Sequence, residues 1–473
     1  MKTFNKILLL LFIFSIGLIS CDKEPLPPVD EELSVTQKVN LFIEEVMDDV
    51  YLWSDEIPDI DPLIESDSKA YFEKLLYTDD KWSFVTDNVT ALENSFEGIE
   101  MSYGWSLAFY YANESTNEVI AVVEFVYPNT PASEAGIMRG DVLIEMSGSD
   151  ITDENYMDLL VGENLTVTLG VLGDDGTSAG SSVSMTAREL HLNPVVLTKV
   201  IEHGGHKIGY LFYSQYITDY NTSLDTTFQN LMDAQITDLV LDLRYNPGGT
   251  TVAAQHLCSS IAPIDAVNSE LTLVSFRWND NYQNYWEDNN VTQQLKILFD
   301  DNVPNKMGLT KLHVLTGNGT ASASELTITG LKPYMSDLTT VGETTYGKYT
   351  ASITFKPDEW YESETYYEDF ENWGVQPIVL RYANSQGVTD FKDGFLPDIE
   401  VEDELFGALP LGNKEEPLLK AALEDITGVD VIAMATKSAV KIPEYTLFDR
   451  GFSKFDANKR EVLLDHSTIK FSE

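Results

Sequence analysis

The spacing of apolar residues predicts that the folded part of the chain begins with helices. Apolar side chains recur every three or four residues from Val39 to Val50, the spacing of one helix face. Ser34 to Gln37 has the form of a capping box, which marks a helix N-terminus. A second helical pattern covers residues 69–77. We therefore expect a small helical module at residues 34–90.

After residue 90 the pattern changes to short apolar runs separated by turns. These runs predict strands at residues 107–111, 119–127, 142–146 and 165–172. Strands at this density, with no long helical pattern between them, indicate a β-rich domain at residues 91–190.

From residue 191 to residue 428 strands and helices alternate. A strand at 207–213, a helix at 223–235, a buried strand from Leu239 and a helix at 252–261 follow one another. This alternation is typical of an α/β domain with a largely buried sheet. Polar and aromatic residues at 277–305 interrupt it, and we expect that stretch either to line a groove or to form a surface excursion.

Composition and charge narrow the class of protein. The chain has 473 residues, of which 43% are hydrophobic, enough for several globular domains with sizeable cores. Its formal net charge of −47 repels phosphate backbones, so nucleic acid is not an expected partner.

The first residues resemble a bacterial export signal. Lys2 and Lys6 precede an apolar core that is too short for a membrane span, which indicates a signal peptide at residues 1–20. The sequence ending in Cys21 resembles a lipobox, which implies that Cys21 becomes a lipidated N-terminus. The alternative is a plain secretory signal with an incidental cysteine. Residues 21–33, rich in proline and acidic residues, are expected to form an extended tether.

Cysteine and histidine usage indicates neither a disulfide nor a metal site. Apart from Cys21, the chain holds only Cys258, in an apolar helical pattern where a buried role is expected. The six histidines form no HExxH motif and no cluster with cysteine. We expect no metal and no cofactor.

Residues 311–348 hold a serine and a lysine in a chemically suggestive setting. An apolar run, a glycine-rich turn and a helical pattern place Ser322 at a helix N-terminus, where unpaired N–H groups would stabilise an oxyanion. Lys348 follows a second apolar run that can return the chain beside the serine. In a dry pocket its neutral amine would act as a base. The alternative is that Ser322 caps a helix and Lys348 is a solvated surface charge.

A glycine pair offers a second oxyanion donor. The apolar run from Leu239 predicts a buried strand, which ends in Arg244-Tyr245-Asn246-Pro247-Gly248-Gly249. Paired glycines let a backbone approach a ligand and point N–H groups at it. The alternative is an ordinary Pro-Gly turn.

Three segments, LVLDLRYNPGG, GTASASE and VGETTYGK, resemble in order and spacing the signature of the C-terminal processing (tail-specific) serine peptidases. The resemblance implies a multidomain α/β fold with a crotonase-like α/β catalytic domain at residues 191–428. It implies that Ser322 is the nucleophile and Lys348 the general base. The oxyanion hole would use the N–H of Ala323 with that of Gly248 or Gly249.

The chain departs from that family pattern after the lysine. Tyr349 and Ser352 stand where many members have Gly and Gln. Ser352 is therefore a candidate third member of the site. Ser324, two residues into the helix, is expected to turn its hydroxyl away from the helix N-terminus.

The segment at residues 130–143 resembles the most recognisable part of PDZ domains, which bind a peptide by adding it as a strand. The candidate loop for the peptide carboxylate is Tyr103-Gly104-Trp105-Ser106. Alternatively, Tyr103 and Trp105 belong to the core.

The resemblance implies a serine endopeptidase that cleaves exported polypeptides at C-termini or in unfolded segments with the help of a PDZ-like domain. A lipid anchor would hold it at the bacterial cell envelope, at the outer membrane or cell surface rather than the inner membrane. The alternative is a non-catalytic lipoprotein that binds a peptide or an apolar ligand with the same fold. Residues 429–473 form an extension of unassigned role.

Overall fold

The computed structural model describes residues 33–173, 176–432 and 445–450, and the backbone of Val462 and Leu463. The predicted signal peptide, Cys21 and most of the predicted tether lie outside the described residues. So does most of the extension that begins at residue 429. In the described part of the chain, no helix is both long and apolar enough to cross a bilayer.

The helices and strands are numbered in chain order. The helices are α1 (Val35–Val50), α2 (Ser68–Leu75), α3 (Val89–Phe96), α4 (Pro131–Glu134), α5 (Tyr156–Leu160), α6 (Asn221–Asp233), α7 (Thr251–Ile261), α8 (Ile264–Asn268), α9 (Asp280–Asp288), α10 (Ala323–Leu331), α11 (Pro357–Trp360), α12 (Glu364–Tyr367) and α13 (Pro417–Thr427). The strands are β1 (Phe84–Thr86), β2 (Ile99–Ser102), β3 (Trp105–Asn113), β4 (Glu118–Val126), β5 (Val142–Met146), β6 (Ser149–Thr152), β7 (Asn164–Gly173), β8 (Gly176–Thr186), β9 (Arg188–His191), β10 (Val195–His203), β11 (His206–Tyr213), β12 (Asp238–Asp242), β13 (Gly249–Thr250), β14 (Thr272–Trp278), β15 (Lys296–Leu298), β16 (Lys311–Thr316), β17 (Asp337–Gly342), β18 (Thr350–Ser352), β19 (Gly374–Gln376), β20 (Ile378–Asn384), β21 (Ile399–Glu400), β22 (Thr446–Arg450) and β23 (Val462–Leu463).

The N-terminal helices pack on the α/β part of the chain. Ser34 caps α1 through the predicted capping box, in which its hydroxyl accepts from the Gln37 N–H and the Gln37 side chain accepts from the Ser34 N–H. The apolar face of α1 is fully buried at Phe42 and Ile43. Strand β1 pairs with β19, which ties this region to the α/β part.

A six-stranded sheet, in the order β10-β11-β12-β16-β17-β21, forms the centre of the α/β part. All pairs are parallel except the β10–β11 hairpin. Because parallel strands end at the same edge, the loop after β12 and the turn after β16 meet there. These are the two segments in which the sequence places the glycine pair and Ser322.

A second six-stranded sheet has the order β13-β23-β18-β20-β14-β15. Helix α10, buried along its whole length, contacts β14 and β20 of this sheet. The aromatic stretch that begins at the end of β14 contributes Trp278 and Trp286 to the core, with 2% and 0% of their surfaces exposed. The expectation of a surface excursion at residues 277–305 is therefore wrong for these two residues, because their rings pack against each other inside the core.

The β-rich region forms a seven-stranded antiparallel sheet in the order β22-β3-β4-β6-β5-β7-β8. Strand β5 has the predicted bounds, and β3 and β7 extend the predicted strands by one or two residues at each end. Strand β4 begins and ends one residue before the predicted strand. The edge strand β22 comes from the C-terminal extension. It pairs with β3, the strand that follows the candidate carboxylate loop.

Candidate functional site

Ser322 stands immediately before α10 in a strained backbone conformation. Its φ of 65° and ψ of −114° are unusual for a residue with a side chain. The residue is fully buried, and its Oγ makes no hydrogen bond within the described part of the chain. A sharp, strained turn between strand and helix that presents an unengaged hydroxyl is typical of a catalytic nucleophile.

The buried Glu325 carboxylate joins the backbone of Ser322 to that of Lys348. One of its oxygens, Oε2, accepts the Ser322 N–H at 2.8 Å and the Lys348 N–H at 2.8 Å. The other, Oε1, accepts the Gly347 N–H at 2.7 Å and the Thr345 hydroxyl at 2.6 Å. The two backbone nitrogens therefore lie within twice a hydrogen-bond length of each other.

Tyr382 makes a second bridge between the same two residues. Its hydroxyl lies 3.1 Å from the carbonyl oxygen of Ser322 and 2.9 Å from that of Lys348, so its proton can be donated to either. Burial raises the pKa of Tyr382 well above its ordinary value, which keeps this hydroxyl protonated as a donor. Both Ser322 and Lys348 are fully buried.

Burial also changes the titration of Glu325. It raises the pKa of Glu325 to about 7, against the opposing effect of the four hydrogen bonds that the carboxylate accepts. The carboxyl group that holds Ser322 and Lys348 together therefore changes its charge near neutral pH.

The loop after β12 distinguishes the two candidate oxyanion glycines. Gly248 donates its N–H to Asn246 Oδ1 at 2.9 Å. Tyr216 donates to the Gly248 carbonyl and accepts from the Thr250 N–H, each at 2.8 Å. Because the polar groups of an extended segment alternate in direction, the N–H of Gly249 faces away from Tyr216. Gly249 is thus the better placed of the pair.

Position 249 also requires glycine for steric reasons. Its φ is 136°, and a Cβ added there would lie 2.1 Å from the carbonyl oxygen of Tyr216. The Asn246 carbonyl, in the same loop, accepts from the Ala321 N–H and the Ser324 hydroxyl, each at 3.1 Å. The glycine loop and the nucleophile turn are therefore joined, and Ser324 is engaged away from Ser322.

Ser352 lies in β18 and is fully buried. It accepts a hydrogen bond of 3.1 Å from the side-chain amide of Gln376, in β19. Gln376 in turn accepts from Thr354. A glutamine thus occurs beside the site, contributed by a different strand from the one in which the family pattern has it.

Two of these residues escaped the sequence analysis. Glu325 stands three residues after Ser322, and Ser-x-x-Glu is the form of a capping box, so a signal for its contact with the Ser322 N–H was present. Gln376 carried no such signal. Its position beside Ser352 depends on strand pairing between residues far apart in sequence.

The four candidate residues of the carboxylate loop lie at the start of β3. Tyr103 is 4% exposed and donates its hydroxyl to the Gly162 carbonyl, and Ser106 is buried with its hydroxyl on Glu124. Gly104 has a φ of 79°, and a Cβ there would collide with Thr130. Trp105 is half-buried, unlike Tyr103.

A buried charge cluster joins the β-rich region to the loop after β12. Arg139, in the β-rich region, pairs with Asp403 at 2.7 Å and also bonds the Tyr245 hydroxyl. Arg244 pairs with Asp403 at 3.1 Å and bonds Glu416. Burial alone would raise the pKa of Asp403, but the two arginines hold it below its ordinary range. Sequence analysis did not identify this cluster.

Among the described residues, no three His, Cys, Asp or Glu side chains converge as ligands for a metal ion. Cys258 is buried, and burial raises the pKa of its thiol to about 12, as expected for a structural cysteine.

Comparison with known proteins gives consistent matches. The profile described as Peptidase family S41 matches residues 207–401, and that described as Peptidase S41 N-terminal domain matches residues 38–84. The carboxyl-terminal-processing protease of Synechocystis sp. is 26% identical over 335 residues, which are 69% of this chain and 69% of its own length. That of Picosynechococcus sp. is 25% identical over 351 residues, 73% of this chain and 76% of its own length. A crystal structure from Bacteroides fragilis, described as an S41 protease, has 28% identity and a TM-score of 0.66, and the match covers 82% of this chain and 97% of that one.

Proposed function

Because the chain belongs to peptidase family S41, we propose that it cleaves polypeptides with Ser322 as nucleophile and Lys348 as general base. Its function is that of a serine peptidase of the C-terminal processing type. The observation that carries the assignment of the pair is the Glu325 carboxylate, whose Oε2 accepts the N–H groups of both residues at 2.8 Å.

The proposed reaction is acyl transfer in two halves. The Lys348 amine takes the Ser322 proton as Oγ attacks the scissile carbonyl, and the N–H groups of Ala323 and Gly249 bind the oxyanion. Lys348 then gives the proton to the leaving amine, and afterwards activates the water that hydrolyses the acyl-enzyme. Each oxyanion donor would contribute about 3 to 4 kcal/mol to the stabilisation of the transition state.

The test of the pair uses the chain from Asp22 onward with an unfolded polypeptide that ends in apolar residues. Cleavage by the unsubstituted chain, lost in both Ser322→Ala and Lys348→Ala, is the expected result. Retained cleavage in either variant would overturn the assignment of that residue. No cleavage by any form, with the polypeptide still bound, would favour the non-catalytic binding protein.

Ser352 and Gln376 extend the proposed site. Ser352 is the last residue of β18, a strand that begins two residues after Lys348. The hydrogen bond from Gln376 orients the Ser352 hydroxyl. We assign Ser352 a positioning role for the lysine. In Ser352→Ala the kcat should fall while KM stays constant, and the pH at which activity is half-maximal should move. An unchanged pH profile would remove the role.

The β-rich region at residues 91–190 is proposed to act as a PDZ-like recognition domain. Its antiparallel sheet presents β3 directly after the candidate loop, which is the order needed for a peptide that adds as a strand with its carboxylate on the loop. Substituting Trp105 with Ala should weaken cleavage of a polypeptide with an apolar C-terminus more than cleavage of the same polypeptide amidated at its end. Equal effects on both would argue against carboxylate recognition.

Lipid anchoring at Cys21 is proposed from the sequence alone. A lipidated cysteine followed by the tether at residues 21–33 would hold the enzyme at the bacterial envelope, at the outer membrane or cell surface. Cys21→Ser should abolish incorporation of radiolabelled palmitate and release the protein from the membrane fraction. A membrane-bound Cys21→Ser protein would contradict the anchor.

A further inference from the structure

Strand β22 of the C-terminal extension occupies the position where a PDZ-like domain would receive a peptide. It pairs antiparallel with β3, and the pairs run from Thr446 opposite Tyr111 to Arg450 opposite Ala108. The extension therefore approaches the candidate loop at the start of β3 as it proceeds. This is the orientation of a peptide added to the edge of a sheet with its later residues nearer the loop.

Side chains fix β22 in this place. The Arg450 guanidinium pairs with the buried carboxylate of Glu124, in β4, and lies 5.7 Å from the Tyr245 ring, in the glycine loop. The Tyr156 hydroxyl donates to Asp449 at 2.8 Å. Because β22 supplies Arg450 to the buried Glu124 carboxylate, removal of β22 would leave that charge without this partner, which is costly.

The same extension reaches the catalytic centre at β23. The backbone of Val462 and Leu463 pairs in parallel with Gly249 and Thr250, the glycine segment proposed to bind the oxyanion. Leu463 also pairs in parallel with Ser352, in β18. Strand β23 thus fills the space between the glycine loop and the strand that follows Lys348, and completes a sheet with both.

We infer that the C-terminal extension is an intramolecular ligand of the substrate cleft, held at β3 by residues 446–450 and between β13 and β18 by residues 462 and 463. The inference rests on the proposed peptidase function, because the substrate of a peptidase cleft is an extended polypeptide backbone. The chain's own extension takes the two places that a substrate polypeptide would take, and competes with it.

Backbone pairing explains why one cleft can accept both the extension and unrelated substrates. Hydrogen bonds between strands involve N–H and C=O groups that every residue except proline carries, so affinity depends little on side chains. The extension has the advantage of being attached. Its effective concentration is of the order of 1 mM for a tethered segment, so an extension that binds the cleft with a dissociation constant of about 0.1 to 1 mM should raise the apparent KM for a free polypeptide about two- to tenfold.

The test removes the backbone donors of β23 in the full chain. Val462→Pro/Leu463→Pro deletes both N–H groups, whereas Val462→Ala/Leu463→Ala retains them. Hydrogen exchange is measured on both variants with Ser322→Ala also present, so that no cleavage occurs. We expect faster exchange of the amides of residues 249–250 and 350–352 in the proline variant, and little change in the alanine variant. Amides of β12 report that the proline variant is folded.

A kinetic comparison with Ser322 intact completes the test. The proline variant should show an apparent KM about two- to tenfold lower, with kcat unchanged, as expected when a competitor of millimolar effective concentration is lost. Unchanged exchange at residues 249–250 and 350–352 in a folded proline variant would overturn the inference. That result is distinct from failure of the proposed catalytic pair, which would appear as cleavage by the Ser322→Ala chain.

Discussion

The backbone of Ser322 is strained, and the proposed catalytic role of this residue accounts for the strain. A φ of 65° with a ψ of −114° suits glycine far better than serine. The conformation persists because Glu325 holds the Ser322 N–H, Tyr382 holds its carbonyl, and the Asn246 carbonyl holds the preceding turn. The proposed nucleophile needs a side chain, so we expect glycine at this position to relieve the strain at the cost of activity.

We predict that Ser322→Gly is more stable than Ser322→Ala by about 1 to 2 kcal/mol, although both are inactive. Glycine relieves backbone strain of about 1 to 3 kcal/mol and loses less than 1 kcal/mol to the greater freedom of the unfolded chain. Urea denaturation measures the difference. Ser324 provides the control, because it lies in α10 with ordinary helical geometry, where Gly should be less stable than Ala by about 1 kcal/mol. Equal stability of the two Ser322 variants would show that the turn is not strained.

Glu325 should make the stability of the protein depend on pH below neutrality. Its pKa is raised from an ordinary 4.5 to about 7, so the folded state binds a proton more tightly than the unfolded state does. This contribution to stability is present below the unfolded pKa and is lost as the pH rises towards 7. It amounts to about 3 kcal/mol across that window.

We predict that the stability of the unsubstituted chain relative to Glu325→Gln falls between about pH 5 and pH 7 and is constant above about pH 8. Glutamine does not titrate, and its amide places donors against the N–H groups that the carboxylate accepts. The kcat of the variant should therefore fall about tenfold or more, as expected for the loss of hydrogen bonds to a charged group. Urea denaturation at several pH values checks the first expectation. A stability difference that does not vary with pH would contradict it.

Single residues could be predicted from sequence where local rules apply. Ser322 at a helix N-terminus follows from the apolar run, the glycine turn and the helical spacing around it. Its contact with Glu325 follows from capping geometry. By contrast, the use of the Gly248 N–H by Asn246 depends on a side-chain rotation within the loop, so the sequence left Gly248 and Gly249 as alternatives.

At the scale of elements, the β-rich region and the loop after β12 are held together by charge. Arg139 is 6% exposed at its side chain, pairs with Asp403 at 2.7 Å and donates to the Glu124 carbonyl at 2.9 Å. It also lies 5.4 Å from the ring of Tyr245, in the glycine loop. These contacts would therefore transmit a movement of the β-rich region to the loop that carries Gly249.

We predict that Arg139→Met destabilises the protein by about 3 to 5 kcal/mol, because Asp403 is left buried with fewer partners. In Arg139→Met/Asp403→Asn the loss should be smaller than the sum of the two single losses. A double-mutant cycle from urea denaturation measures this coupling. The exposed pair of Arg188 and Glu134 at 2.7 Å is the matched control, and no measurable coupling is expected there. Equal coupling at both pairs would contradict the argument.

Long elements could be predicted from their period and short ones could not. Strand β12 is a continuous apolar run, and its burial on both faces is what that run indicates. Strands β13, β18 and β19 have two or three residues each, too few for a period. Strands β22 and β23 gave no signal of their partners, because pairing with β3 and β13 joins residues hundreds of positions apart.

For the whole molecule, the dominant fact is an excess of acidic residues, 77 against 30 basic ones. The excess of negative charge acts against compactness, since the carboxylates are closer together and repel one another more strongly in the folded chain. Glu44 illustrates the effect on one helix: burial, and then repulsion from Asp48 and Glu45, raise its pKa to about 7. Two arginines with buried side chains, Arg139 and Arg244, form interior ion pairs.

We predict that salt stabilises this protein as a whole while leaving its interior pairs unaffected. Raising NaCl from about 0.01 M to about 1 M shortens the Debye length from about 30 Å to about 3 Å, which screens repulsion between surface carboxylates. The thermal midpoint should therefore rise with salt. The coupling between Arg139 and Asp403 should stay constant over the same range, because both side chains are at most 6% exposed and little screened. An uncharged osmolyte at equal osmolality separates screening from solvent exclusion. A midpoint that falls or stays level with salt would mean that surface attraction, rather than repulsion, prevails in the folded state.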